Sequence, residues 1–257
     1  MSPTLLAEWT KLRSLRSTFW TLLAGVVVSV GLGALFGWSF RANFARLPSE
    51  QQERFDPLFA TFYSLTLGQL GLVVFAVLVV TGEYGARTIR TSLAAVPQRG
   101  RFYAAKLSAG TLAVSGVAAV TVFTTFTVAQ FALGPYRASL GGDGVPTAIV
   151  GACLYLALIC LFAMGVAAMV RRSVLALSLL LPLLLLGSQG LGNVPKIKAV
   201  TQYLPDQAGA VIMHLAGPPG DPRFGRDYGP WTGLGILAIW AAVAVAGGYL
   251  VLRRRDA

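Results

Sequence analysis

The sequence is short of charge and nearly without histidine or cysteine. Of its 257 residues only 12% are Asp, Glu, Lys or Arg, about half the ~25% of an average soluble domain. A soluble fold of this length cannot cover its outside with so few surface-forming residues; a fold that faces lipid does not need to. A single histidine cannot furnish a zinc centre, and no H-E-x-x-H occurs. G-x-x-x-x-G-K-[ST] is also missing, so the chain lacks the usual cradle for ATP phosphates. Ser188, in Gly187-Ser188-Gln189-Gly190, invites pairing with His214, but that histidine lies outside every apolar run, in a position suited to a solvated or interfacial side chain. With no catalytic motif, the chain is expected not to be an enzyme. Cys153 and Cys160 share one apolar run. On a helix they stand ~10.5 Å apart along the axis, beyond the ~7 Å Cα limit for a disulfide, which leaves them as small packing residues.

What the sequence has is hydrophobicity: 55% of residues are apolar and the mean hydropathy is +0.68. Six runs, at 19–40, 59–81, 107–133, 147–170, 173–191 and 231–252, contain no Asp, Glu, Lys, Arg or His. Each approaches or exceeds the ~20 residues that cross ~30 Å of hydrocarbon. The first is too long for the apolar core of a signal peptide and no convincing cleavage site follows it, so it reads as a retained span. The expected fold is an all-α integral membrane protein with six transmembrane helices in one domain, 1–257. Basic residues on alternate sides of the spans number 13 against 8. The richer side includes Lys11, Arg13, Arg16, Arg87, Arg90, Arg101 and Lys106, and by the positive-inside rule both termini are cytoplasmic. The net charge of +11 is assigned to anionic lipid head groups at helix ends. Nucleic acid is not expected as a partner, because no basic and aromatic stretch lies outside the membrane flanks.

The connections carry further information. Residues 1–18 form an amphipathic segment with Leu5, Trp9 and Leu12 at helical spacing, suited to the head-group plane. The connection 82–106 is long and basic, with a helix-compatible stretch at 88–95 ended by Pro97 and Gly100. Arg171-Arg172 suffice to join the fourth and fifth runs, so 82–106 exceeds what connectivity needs and is a candidate docking surface. The connection 192–230 is rich in Pro and Gly, and Asp206 is placed to N-cap a short apolar helix at 207–215. Ser49 and Gln52 have capping-box spacing.

Within the runs the polar groups are neutral: Gln69, Gln130 and Gln189, with Ser108, Thr111 and Ser115 continuing towards Thr121 and Thr125. Protons need a titrating relay, so a proton-coupled carrier is disfavoured. The hydroxyls suit helix–helix hydrogen bonding or a substrate path. Gly33 and Gly37 form a G-x-x-x-G pair with Gly31 nearby, and Pro182 is expected to kink the fifth run.

The order of these parts resembles the permease subunits of ATP-binding-cassette (ABC) exporters of the type-2 class, particularly actinobacterial ones. The resemblance rests on Glu8-Trp9-Thr10-Lys11-Leu12-Arg13-Ser14, on Gly82-Glu83-Tyr84 with Thr88-Ile89-Arg90-Thr91 and Pro97, on Tyr203-Leu204-Pro205 with Gly209, and on the closing Leu252-Arg253-Arg254-Arg255-Asp256-Ala257. It spans the whole chain. The resemblance implies an elbow helix at 1–18 carrying Glu8, Trp9, Lys11, Arg13 and Arg16. It implies a coupling helix within 82–106, with Glu83, Tyr84, Arg87, Arg90, Pro97 and Arg101 at the contact with an ATPase. Short helices would dip in from outside within 192–230. The family's working unit has two permeases, as a homo- or heterodimer, and two ATPases, in a bacterial plasma membrane. ATP and magnesium belong to the ATPase, and no cofactor belongs to this chain. Glu83 is alternatively placed to pair with a basic residue of the elbow, such as Arg13 or Arg16. A stand-alone channel or carrier and a non-transporting scaffold are the competing readings.

Overall fold

A computed structural model describes residues 3–14, 16–85, 96, 98–188, 191–194, 196–217, 221 and 224–254. Among the described residues every regular element is a helix. They are α1 (Pro3–Ser14), α2 (Arg16–Asn43), α3 (Ser49–Glu53), α4 (Pro57–Phe62), α5 (Leu65–Gly85), α6 (Arg99–Leu133), α7 (Val145–Val170), α8 (Ser173–Ser188), α9 (Lys198–Thr201), α10 (Pro205–Ala210) and α11 (Pro230–Arg254), with four short 3-10 turns between them. Five helical segments are long and apolar enough to cross a membrane: Arg16–Arg46, Pro57–Tyr84, Arg99–Tyr136, Val145–Val170 and Pro230–Arg254. The run at 173–191 forms the shorter α8, whose 16 residues rise about 24 Å, less than the ~30 Å of a hydrocarbon core. Pro182 lies inside it.

The helix ends follow local chemistry. Pro57 occupies the first turn of α4 and the Asp56 carboxylate accepts from Leu58 N–H. The run read as one span at 59–81 lies within the single apolar segment Pro57–Tyr84, which is interrupted at Tyr63 and Ser64 between α4 and α5. Gly134, at φ +59, closes α6 by donating to the carbonyls of Gln130 and Phe131. Arg171, at φ 60, ends α7 and α8 begins two residues later, the tight hairpin its sequence suggests. Two expected caps do not form. Gln52 donates to the Leu47 carbonyl rather than joining Ser49 in a capping box, because Ser49 is already the first residue of α3 and Pro48 is its cap. Pro205 starts α10 two residues earlier than expected, so Leu204 is the cap and Asp206 is drawn into the first turn and buried.

α7 is the centre of the bundle, packing against α5, α6, α8 and α11, while α2 lies across α5 and α6. The buried residues of α2 are Gly25, Ser29, Gly33 and Gly37, one small residue every four. This spacing puts them on a single stripe where the backbones close in. A Cβ at Gly33 would stand 2.9 Å from Thr125 Cγ2 and one at Gly37 2.7 Å from the Ala129 carbonyl oxygen, whereas Gly31 faces open space. The Gly33–Gly37 pair is therefore half of a longer stripe.

Around this core the outward face is apolar. Val27, Leu35, Phe123, Val174, Ile239 and Val243 are all more than half exposed, a distribution that suits lipid and not water. Trp20 and Trp38 on α2 and Trp231 and Tyr249 on α11 are exposed pairs, each eighteen residues apart. That spacing is about 27 Å of helix, so each pair brackets the hydrocarbon thickness as interfacial aromatics do. The chain is a helical, membrane-embedded protein.

Candidate functional site

The charged residues at the N-terminal end of the bundle collect into one cluster. The Lys106 ammonium donates to Glu8 Oε2 at 2.6 Å and to Glu83 Oε1 at 2.9 Å. The Lys11 ammonium donates to Glu8 Oε1 and Glu83 Oε1, both at 2.8 Å. Two carboxylates and two ammoniums thus neutralise one another. Glu8 and Lys106 are each only 4% exposed. Removing such charges from water costs several kcal/mol per ion, offset here by four ion-pair contacts, although Glu83 Oε2 is buried without a partner. Burial lowers the affinity of Lys11 for its proton, but the bonds to Glu8 and Glu83 outweigh it and hold its pKa above the ordinary lysine value. Lys106 also lies 5.2 Å from the centre of the Phe102 ring.

The cluster joins three elements. Glu8 and Lys11 come from α1, Glu83 from the last turn of α5, and Lys106 from the second turn of α6. The end of α5 and the start of α6 are the two feet of the connection 82–106, and α1 is tied to both. Glu83 does pair with a basic residue of the N-terminal segment, but that residue is Lys11 and not Arg13 or Arg16, which are exposed; Lys106 is its second partner. The inward face of α1 is corrected as well: Leu5, Glu8 and Leu12 turn to the protein and Trp9 is half-buried at its edge. Neighbouring basic residues brace the same end. Arg99 donates to the carbonyls of Leu252 and Arg253, and Arg171 to that of Val251, satisfying the last turn of α11. The Arg171 guanidinium also sits 5.3 Å from the Tyr84 ring centre. Arg101 is exposed and donates to Gln98 Oε1 at 2.9 Å. Arg87, Arg90, Pro97 and the helix-compatible stretch 88–95 lie outside the described residues, as does Gln189.

Gln69 and Gln130 are each held by hydrogen bonds within the bundle, whereas Thr125 Oγ1 is buried without a partner. The Tyr155 hydroxyl donates to Gln69 Oε1 at 2.6 Å, and Gln69 Nε2 donates to the Thr66 carbonyl. Gln130 Nε2 donates to Thr61 Oγ1 at 2.7 Å and its Oε1 accepts from Ala138 N–H. The hydroxyl row on α6 does not share one environment: Ser108 is exposed, Thr111 and Ser115 are half-buried, and Thr121 and Thr125 are buried.

At the opposite end, Asp206 is 2% exposed. Gln207 Nε2 donates to Asp206 Oδ2 and to the Gly187 carbonyl at 2.6 Å, while Gln207 Oε1 accepts from Arg226 Nη2 at 2.9 Å. Burial pushes the Asp206 carboxyl up to about 6, against the bonds from Gln207 and the charge of Arg226. His214 is not simply solvated, as its position in the sequence suggests: its Nδ1 is 2.7 Å from Asp56 Oδ2, joining the last long connection to the first. Burial works to raise the Asp56 carboxyl, but the His214 contact and the Leu58 N–H hold it below the usual carboxylate range. Among the described residues no group of three His, Cys, Asp or Glu is arranged to hold a metal. No protein-family model matches the chain, and no curated protein matches it.

Proposed function

We propose that this chain is the membrane-spanning permease subunit of an ABC exporter of the type-2 class, with α8 completing six spans, both termini in the cytoplasm and a separate ATPase as its motor. The observation that supports this reading best is the attachment of α1, through Glu8, Lys11, Glu83 and Lys106, to both feet of the oversized basic connection. On this reading α1 is the elbow helix and 82–106 carries the coupling helix. A push on that connection reaches α5, α6 and α1 together, because separating a buried ion pair costs several kcal/mol. α5 and α6 in turn contact α2 and α7, so the motion spreads into the bundle without an ionisable group inside the spans. The exporter would assemble from two such permeases and two ATPases that bind ATP and magnesium. Gln69, Gln130 and the α6 hydroxyls then belong to packing more than to the path, since Gln69, Gln130 and Thr121 already bond within the protein.

Charge reversal of Arg87, Arg90 and Arg101 to Glu tests the reading. Loss of ATPase co-purification together with loss of cellular efflux supports it; efflux that survives the triple reversal overturns the coupling assignment.

A further inference from the structure

We propose that the corner between α1 and α2 binds the phosphate-bearing headgroup of an anionic phospholipid. Arg13, Ser14, Arg16, Phe19 and Trp20 line a concavity at this corner. Among the described basic residues at this end of the bundle, Lys11 and Lys106 are engaged by carboxylates and Arg99 and Arg171 by carbonyls of α11. Arg172, Arg253 and Arg254 are exposed, but it is Arg13 and Arg16 that share one concavity with two aromatic rings. Both are exposed, and neither guanidinium bonds to any described residue. No acidic side chain lines the concavity, so its charge is uncompensated and selects an anion.

The aromatic half of the site says which kind of anion. Trp20 and Phe19 are 64% and 61% exposed and pack edge to face with ring centroids 5.6 Å apart. Trp20, paired with Trp38 across about 27 Å of α2, marks the interface level. Arg16 lies one turn before Trp20 on the same helix face, at the depth of the head groups, and Arg13 approaches from the other side of the corner. Two guanidiniums at phosphate level above two apolar rings at glycerol and acyl level complement an amphiphilic anion and not free phosphate. The site stands on the membrane embedding alone and is independent of the ATPase proposal.

The test is native mass spectrometry of detergent-purified protein titrated with phosphatidylglycerol, phosphatidylcholine or inorganic phosphate. The wild type should retain phosphatidylglycerol in preference to phosphatidylcholine. R13Q/R16Q should weaken that binding about tenfold, R13K/R16K should largely keep it, and R46Q/R137Q, two exposed arginines at the opposite end, should leave it unchanged. Equal phosphatidylglycerol affinity in R13Q/R16Q, equal affinity for phosphatidylcholine, or displacement by inorganic phosphate at comparable concentration would each overturn the proposal.

Discussion

The Lys106 ammonium lies 2.6 Å from the Glu8 carboxylate although 98 residues separate them in sequence. Both side chains are about 95% buried, so neither has water to fall back on. The pair fixes the N-terminal helix to the foot of the longest basic connection, and Glu83 and Lys11 close the cluster around it.

Truncating Lys106 therefore leaves Glu8 Oε2 without its donor and both carboxylates with the part-exposed Lys11 alone. Lys106→Ala is expected to cost about 3–5 kcal/mol, as removal of one partner from a buried pair does. Lys11, with 45% of its side chain exposed, is worth less: Lys11→Ala should cost under about 1 kcal/mol. Thermal unfolding of the two variants in the same detergent checks the order; equal losses would contradict the burial argument.

Asp206 gives a pH dependence of the opposite sense to an ordinary paired carboxylate. Its folded pKa, raised to about 6, lies above its unfolded value, so the folded state holds the extra proton between roughly pH 4 and 6. Stability should fall as pH rises through that window and stay level above it. Asp206→Asn should abolish the slope and raise stability at pH 7.5 by about 2 kcal/mol, read from melting curves at pH 4.5, 6 and 7.5.

Asp56 behaves conventionally. Its folded pKa is lowered, so its contribution is present above the unfolded value near ~4 and is lost as pH falls through the folded one. The group is part-exposed and the effect is correspondingly small. Asp56→Asn should flatten the acid limb of the stability profile below pH 4. Hydrogen exchange in residues 41–58 and around 214 should rise in the same variant, because the His214 tie between the two connections is gone.

The small-residue contacts separate two glycines that look alike in sequence. A Cβ at Gly165 would lie 2.5 Å from the Ala244 carbonyl carbon on α11, while Gly31 has nothing within 4 Å. Gly165→Val should abolish a monodisperse purified protein, since backbone and not a flexible side chain blocks the added atoms. Gly31→Val should be nearly silent by size-exclusion chromatography and thermal melting.

Much of this architecture was legible in the chain, and the reasons for the rest are specific. Uncharged length located the apolar helices, and Arg171-Arg172 marked the tight hairpin between α7 and α8. The break at Tyr63 and Ser64 carried no Gly or Pro to announce it. α8 is described as far as Ser188, and the next two residues of the apolar run, Gln189 and Gly190, lie outside the described residues. The ion cluster was hidden for a different reason. Glu8 and Lys106 read as two flank charges, since α6 begins at Arg99 and carries Lys106 inward by two turns, and nothing local reports a partner 98 residues away. The Asp206–Gln207–Arg226 arrangement was missed because Asp before an apolar stretch is the usual sign of a cap, and only the Pro205 start of α10 turns it inward.

As a proposed permease, the chain would work through an ATPase carrying the phosphate loop that its own sequence lacks. The most direct measurement is transport of a cell-derived substrate pool by proteoliposomes holding this chain alone, or with a co-expressed ATPase that carries the missing phosphate loop. The account predicts a stable complex in mild detergent and flux only when ATPase, ATP and magnesium are all present. Flux from this chain alone, or no association with the ATPase under those conditions, would contradict it.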